Sequence, residues 1–226
     1  FIQPEDFQKA LLDFNLSIEL DSSNYKTYSN RADVYLELEK YELALADYTK
    51  AIDLEKENPN LYKARADCYI AMEDYTTALK DLDRAIDLAP EDAYFYNNRA
   101  DFYKDFLKEY DLALKDYNKA IKLNTNDYQT LRAINNSALV YSTQGKYELA
   151  IEQYTKAIEL NSEYANSYSN RADVYLELEQ YELALADYTK AIDLEKDNPY
   201  GYKARADCYI AMEDYTTALK DLDRAI

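Results

Sequence analysis

The sequence has no histidine, two glycines, four prolines and two cysteines in 226 residues. Without histidine it lacks the commonest general base and metal ligand of proteins. Two glycines, Gly145 and Gly201, cannot build a glycine-rich phosphate loop. Cationic residues are outnumbered, with 26 Lys and Arg against 44 Asp and Glu and a formal net charge of −18. No run of basic residues occurs, so nucleic acid and anionic membrane are excluded as partners on charge. No stretch of 18 apolar residues exists to span a bilayer. The cysteines, Cys68 and Cys208, stand 140 residues apart at equivalent places in a repeat, and such positions along an array do not meet. They are expected to be small, buried, free thiols, which suits a reducing compartment such as the cytoplasm. The chain begins at Phe1 without Met or a signal-like segment, and reads as a piece of a longer protein. Asp81, Asp83 and Asp87 lie close together but on a helical pattern with no calcium-loop spacing around them. No catalytic constellation, metal site or cofactor site emerges, and the chain is not expected to be an enzyme.

Apolar residues make up 48% and charged residues 31%, which suits a folded protein. The order within that composition is a repeat. The segment from Asn30 to Ala44 returns from Asn170 to Ala184 with one change, Lys40 to Gln180. Weaker copies begin at Ala64, Asn98, Asn136 and Ala204. The tyrosines of a Tyr-x-x-Ala landmark, Tyr41, Tyr75, Tyr110, Tyr147, Tyr181 and Tyr215, are spaced by 34, 35, 37, 34 and 34 residues. A second period lies above this one: residues 28–86 match residues 168–226 at 55 of 59 positions. The differences are Lys40/Gln180, Glu57/Asp197, Asn60/Tyr200 and Leu61/Gly201.

Apolar spacing predicts one amphipathic helix over 6–20 and then helix pairs: 25–38 with 41–54, 61–72 with 75–88, 93–107 with 110–123, and 128–143 with 147–160. Two more pairs over 165–194 and 200–226 repeat the first and second. Asn58 and Pro59 have the chemistry of an N-cap and a first helical residue. The chain therefore divides into a half repeat, 1–24, and six helix pairs, 25–58, 59–92, 93–127, 128–164, 165–198 and 199–226.

Tyr28, Ala32, Tyr35, Tyr41, Ala44, Tyr48 and Ala51 of the first pair stand at the signature spacings of the tetratricopeptide repeat, and the later copies keep nearly all of them. The chain resembles that family over essentially its whole length. Arg31 and Ala32 depart from the general pattern, which has Leu and Gly there. The resemblance implies an all-α, right-handed superhelical solenoid with first helices lining the concave side. Its implied task is to hold a segment of another protein there.

Five arginines recur at the seventh position of the repeat, Arg31, Arg65, Arg99, Arg171 and Arg205. Five aspartates recur at its twenty-third, Asp47, Asp81, Asp116, Asp187 and Asp221. Pairing within each repeat strands no partner, so an ion pair joining the two helices of a repeat is expected. The sixth position is Asn30, Asn98, Asn136 and Asn170 in four repeats and Ala64 and Ala204 in two. An amide both donates and accepts, so such a ladder suits the backbone of an extended peptide, as in some members of the family; solvated Asn on an exposed face is the alternative. The ninth position is acidic in Asp33, Asp67, Asp101, Asp173 and Asp207, and the thirteenth adds Glu37 and Glu177. This acidic stripe favours a partner bearing Lys or Arg. Leu139 and Thr143 break the stripe in the fourth repeat, where Arg132 also lies. Either an apolar ligand side chain docks near Leu139, or the three extra residues before this repeat rotate its helix. Lys63 and Lys203 complete the candidate groove but do not complete the carboxylate clamp of chaperone-binding family members. The expected function is a scaffold binding an extended or helical, polar or basic segment of another protein. The alternatives are a spacer or self-associating rod, or the regulatory arm of an enzyme encoded elsewhere in the chain.

Overall fold

The computed structural model describes residues 4–124 and 126–226. These residues form helices and turns, with no strand among them. In order the helices are α1 (Pro4–Leu20), α2 (Tyr25–Glu37), α3 (Tyr41–Leu54), α4 (Pro59–Ala71), α5 (Tyr75–Leu88) and α6 (Ala93–Phe102). A π-helical turn, Tyr103–Leu107, extends α6. Then come α7 (Tyr110–Leu123), α8 (Asp127–Thr143), α9 (Tyr147–Leu160), α10 (Ala165–Glu177), α11 (Tyr181–Leu194), α12 (Pro199–Ala211) and α13 (Tyr215–Arg224). They fall into two compact units that divide after Arg99, within α6.

Alanine sets the closeness of the pairs. Ala32 meets Ala44 and Tyr48 between α2 and α3, and Ala172 meets Ala184 and Tyr188 between α10 and α11. Each of these alanines is wholly buried, so the helix backbones approach until the neighbouring tyrosine fills the remaining space. Cys68 and Cys208 close the same two clusters as free, buried thiols. Burial pushes the Cys68 thiol up to about 11, so it stays protonated and inert at neutral pH. Within the first unit the core runs from Ile18 through Tyr28 and Leu61 to Ile86 and Phe95. Within the second it runs from Ile121, Leu131 and Ile134 through Val174 to Tyr188 and Cys208.

Caps fix where the helices start. The Asn58 side chain accepts from the backbone of Asn60, with Pro59 at the first helical position, and Asn198 with Pro199 does the same for α12. The two irregular landmark spacings have structural causes. The extra residue before Tyr110 is absorbed by the π-helical turn, since the left-handed residue Lys108 still precedes Tyr110 by two, as Glu39 precedes Tyr41. The three extra residues before Tyr147 lengthen α8, which runs 17 residues against 13 in α2 and α10. They add a turn at its start, capped by Asn126, instead of a longer loop.

Candidate functional site

Each recurring arginine is a bracket between helices. Arg31 grips Asp47 with two hydrogen bonds, Nε to Oδ2 at 2.6 Å and Nη2 to Oδ1 at 2.7 Å. Arg65–Asp81, Arg171–Asp187 and Arg205–Asp221 repeat that geometry, as the intra-repeat pairing predicted. The spacing argument missed a third bond. Nη1 of each of these arginines reaches the second helix of the preceding pair, at Asn15, Thr49, Thr155 and Thr189, always 16 residues upstream. In the first unit Arg99 reaches Asp83 in the same way. The planar guanidinium therefore ties one pair internally and to its neighbour. Tyrosine rings flank it, Tyr28 and Tyr35 each 5.8 Å from the Arg31 guanidinium carbon. The Asp47 and Asp81 hydrogen bonds raise the affinity of Arg31 and Arg65 for their protons. These arginines are spent on holding helices together; the other candidate groove residues lie apart from them.

In the first unit the candidate residues are carried by α2, α4 and the start of α6. Asn30 and Glu37 are exposed, and the Asn30 amide meets no partner among the described residues. Asp33 accepts a hydrogen bond from the Tyr48 hydroxyl at 2.6 Å. Lys63 and Asp67 form an ion pair at 2.7 Å. Burial opposes the Lys63 charge, but Asp67 and the nearby Tyr94 outweigh it and hold the ammonium above its ordinary value. Asn98 donates to the carbonyl of Tyr94 at 2.6 Å, one turn back on its own helix.

In the second unit three predicted residues converge on one another. Asp101 accepts from Arg132, from the Asn136 amide at 2.8 Å and from the Tyr117 hydroxyl. Beyond this cluster α8 presents Leu139, 41% exposed. α10 presents Asn170, with no partner among the described residues, and the exposed Asp173 and Glu177. Asp173 accepts from the Tyr188 hydroxyl at 2.6 Å, and its second oxygen is unengaged. Desolvation pushes its carboxyl above the usual range, Glu177 adds to this, and the Tyr188 hydrogen bond works against it. On α12, Lys203 and Asp207 are both exposed and form no ion pair, unlike Lys63 and Asp67 in the near-identical copy. Lys63 has the Tyr94 hydroxyl beside it, which favours its charged form.

The tyrosine–aspartate bonds were not foreseen, although the sequence carries their signal. Repeats with Tyr48, Tyr117 and Tyr188 have Asp33, Asp101 and Asp173 fifteen or sixteen residues earlier. Where leucine replaces the tyrosine, at Leu82 and Leu222, a lysine stands four residues before the aspartate, Lys63 and Lys203. The fourth repeat breaks the rule. It keeps the tyrosine, Tyr154, but has Leu139 in the acceptor's place, and the buried Tyr154 hydroxyl has no hydrogen-bond partner. No group of three or more His, Cys, Asp or Glu among the described residues is placed to hold a metal ion. No helix among them is long and apolar enough to cross a membrane.

Models of the tetratricopeptide repeat match residues 25–58 and 165–198, a related tetratricopeptide repeat model matches 63–128, and a further repeat model of this group matches 138–179. The chain belongs to the tetratricopeptide repeat family. Solved structures agree at the level of fold. The pilF protein of Pseudomonas aeruginosa superimposes with a TM-score of 0.72 at 20% identity, covering 89% of each chain. A tetratricopeptide repeat protein of Parabacteroides merdae gives 0.73 at 22% identity, covering 98% of this chain and 86% of its own. YrrB, described as a tetratricopeptide repeat protein with an unusual peptide-binding site, gives 0.56 at 24% identity, covering 92% and 96%. No curated protein matches the sequence.

Proposed function

We propose that this tetratricopeptide repeat chain is a scaffold that binds a polar or basic segment of another protein along its first-helix faces. One observation carries the reading. In each unit a free asparagine amide stands three residues before an aspartate held by a tyrosine hydroxyl, Asn30 with Asp33 and Asn170 with Asp173. The amide offers a donor and an acceptor to an extended backbone. The tyrosine fixes one carboxylate oxygen and orients the other toward a cation. Family membership and the peptide-binding site named for YrrB support the same reading.

Fluorescence anisotropy with an end-blocked, lysine-rich peptide tests it. The chain is expected to bind this peptide more tightly than the same peptide with glutamate for lysine. Binding should weaken with added salt and with Asn30→Ala together with Asn170→Ala. Equal affinity for both peptides sinks the proposal. A second reading, self-association, is favoured by α1, where Leu12, Leu16 and Leu20 are 68%, 55% and 81% exposed. Sedimentation over a range of concentrations decides it.

A further inference from the structure

Tyr154 is 0% exposed, and its hydroxyl has no hydrogen-bond partner. Folded proteins rarely leave such a group, because a buried donor without an acceptor forfeits the hydrogen bond it made to water. Tyr117 and Tyr188, at the same place in the flanking repeats, direct their hydroxyls to the first-helix face, at Asp101 and Asp173. Tyr188 follows Asp173 by fifteen residues, and Tyr154 follows Leu139 by fifteen. The shared register therefore points the Tyr154 hydroxyl at that face too, where a leucine, which cannot accept, takes the acceptor's place. On the far side lies Asp173, whose charge is felt at Tyr154 after the larger effect of burial.

The surroundings define what would satisfy this donor. Leu139 is 41% exposed and offers apolar surface. The Asn170 amide and one oxygen of Asp173 are unengaged, Glu177 is exposed nearby on α10, and no cation pairs with either acid among the described residues. On the other side, Asp101, Arg132 and Asn136 neutralise one another. The place is thus a donor beside apolar surface, closed at one end by a satisfied network and flanked at the other by uncompensated negative charge.

We infer that Tyr154, Leu139 and Asp173 form the anchoring subsite of the second unit, taking a peptide carbonyl on the hydroxyl, a leucine-like side chain on Leu139 and a neighbouring lysine or arginine on Asp173. The inference rests on the scaffold reading and sharpens it: this unit selects an apolar residue next to a basic one. The hydroxyl lies below the surface, so peptide binding there requires a side-chain rotation at this face, a fast motion for an exposed residue such as Leu139.

The probe is a short, fluorescein-labelled, end-blocked peptide with one central leucine between lysines, measured by anisotropy against the full chain. Tyr154→Phe removes only the idle hydroxyl, so it is expected to leave thermal stability unchanged or raised while weakening the peptide about tenfold. Leu139→Asp supplies the internal acceptor that the other repeats have; it is expected to raise stability and erase the preference for the leucine peptide over one with serine in its place. Equal affinity for wild type and Tyr154→Phe, or for the leucine and serine peptides, overturns the subsite. If Asp173→Asn still weakens the peptide in that case, the scaffold reading survives without it. If the wild-type chain binds none of these peptides, both fall.

Discussion

Tyrosine does two jobs at one place in this repeat, and a hydroxyl distinguishes them. Tyr188 donates to a carboxylate, so Tyr188→Phe is expected to cost roughly 1.5–3 kcal/mol by urea denaturation, the range for a charge-assisted bond. Tyr154→Phe should cost nothing by the same measurement, since its hydroxyl bonds to nothing. The arginine brackets are more demanding. Asp187 is buried beneath Arg171, so Arg171→Met leaves an unpaired buried carboxylate and should cost about 3–5 kcal/mol. Combining it with Asp187→Leu should restore much of the loss, because the pair is then replaced by apolar packing. Asp173 gives a pH signature. Its folded pKa is raised, so the folded state holds the proton more tightly than the unfolded chain, and ionisation costs stability. That cost is present above the folded pKa and gone below the ordinary value of 3.8. Asp173→Asn should therefore raise the melting temperature at pH 7, with an advantage that shrinks as the pH falls toward 3.8.

At the scale of the element, the turn inside each pair forces one residue into left-handed backbone. Glu39, Glu73, Lys108, Glu179 and Glu213 adopt it with φ between 56° and 62°, and Gly145 does so with φ of 70°. Backbone bonds hold this turn, Glu39 to Leu36 and Lys40 to Tyr35 in the first pair, Gly145 to Ser142 and Lys146 to Tyr141 in the fourth. A methyl group at Gly145 meets no atom within 4 Å, so only the backbone conformation resists it. Gly145→Ala should cost about 1 kcal/mol, read from the urea midpoint. Gly201 is a different case. A Cβ there would lie 3.0 Å from the Ile192 side chain, so a larger residue at this position must displace Ile192 on α11.

At the scale of the whole molecule, the stability of a repeat array is approximately a sum of terms within repeats and between neighbours. Among the described helices, α1 packs against α2 and α13 against α12. α1 leaves Leu12, Leu16 and Leu20 exposed, and α13 leaves Tyr215 and Leu219 exposed at 60% and 61%. Amide hydrogen exchange should therefore be fastest in α1 and α13 and slowest in helices flanked on both sides, such as α3 and α9. Uniform protection along the chain would contradict this picture. Acidic charge is spread over both units, so binding of any basic peptide should also fall as salt rises.

The sequence alone determined the helices, their pairing and four of the arginine–aspartate partners. Period carries all three: apolar spacing marks a helix face, and a residue that recurs with another at constant separation, as Arg31 does with Asp47, points to a contact between them. Tyr41, Tyr75 and Tyr147 begin their helices where the spacing places them. Only the tertiary structure decided which polar groups are already spent. Asn98 and Asn136 looked equivalent to Asn30 and Asn170, yet one bonds its own helix and the other bonds Asp101, while the latter two are unengaged. Lys63 and Lys203 sit in nearly identical sequence, and only the first is paired. The physical reason is that hydrogen bonding and desolvation depend on the neighbouring repeat as well as on the repeat itself. A period records what each copy contains; the environment of a side chain is set by what the stack places beside it.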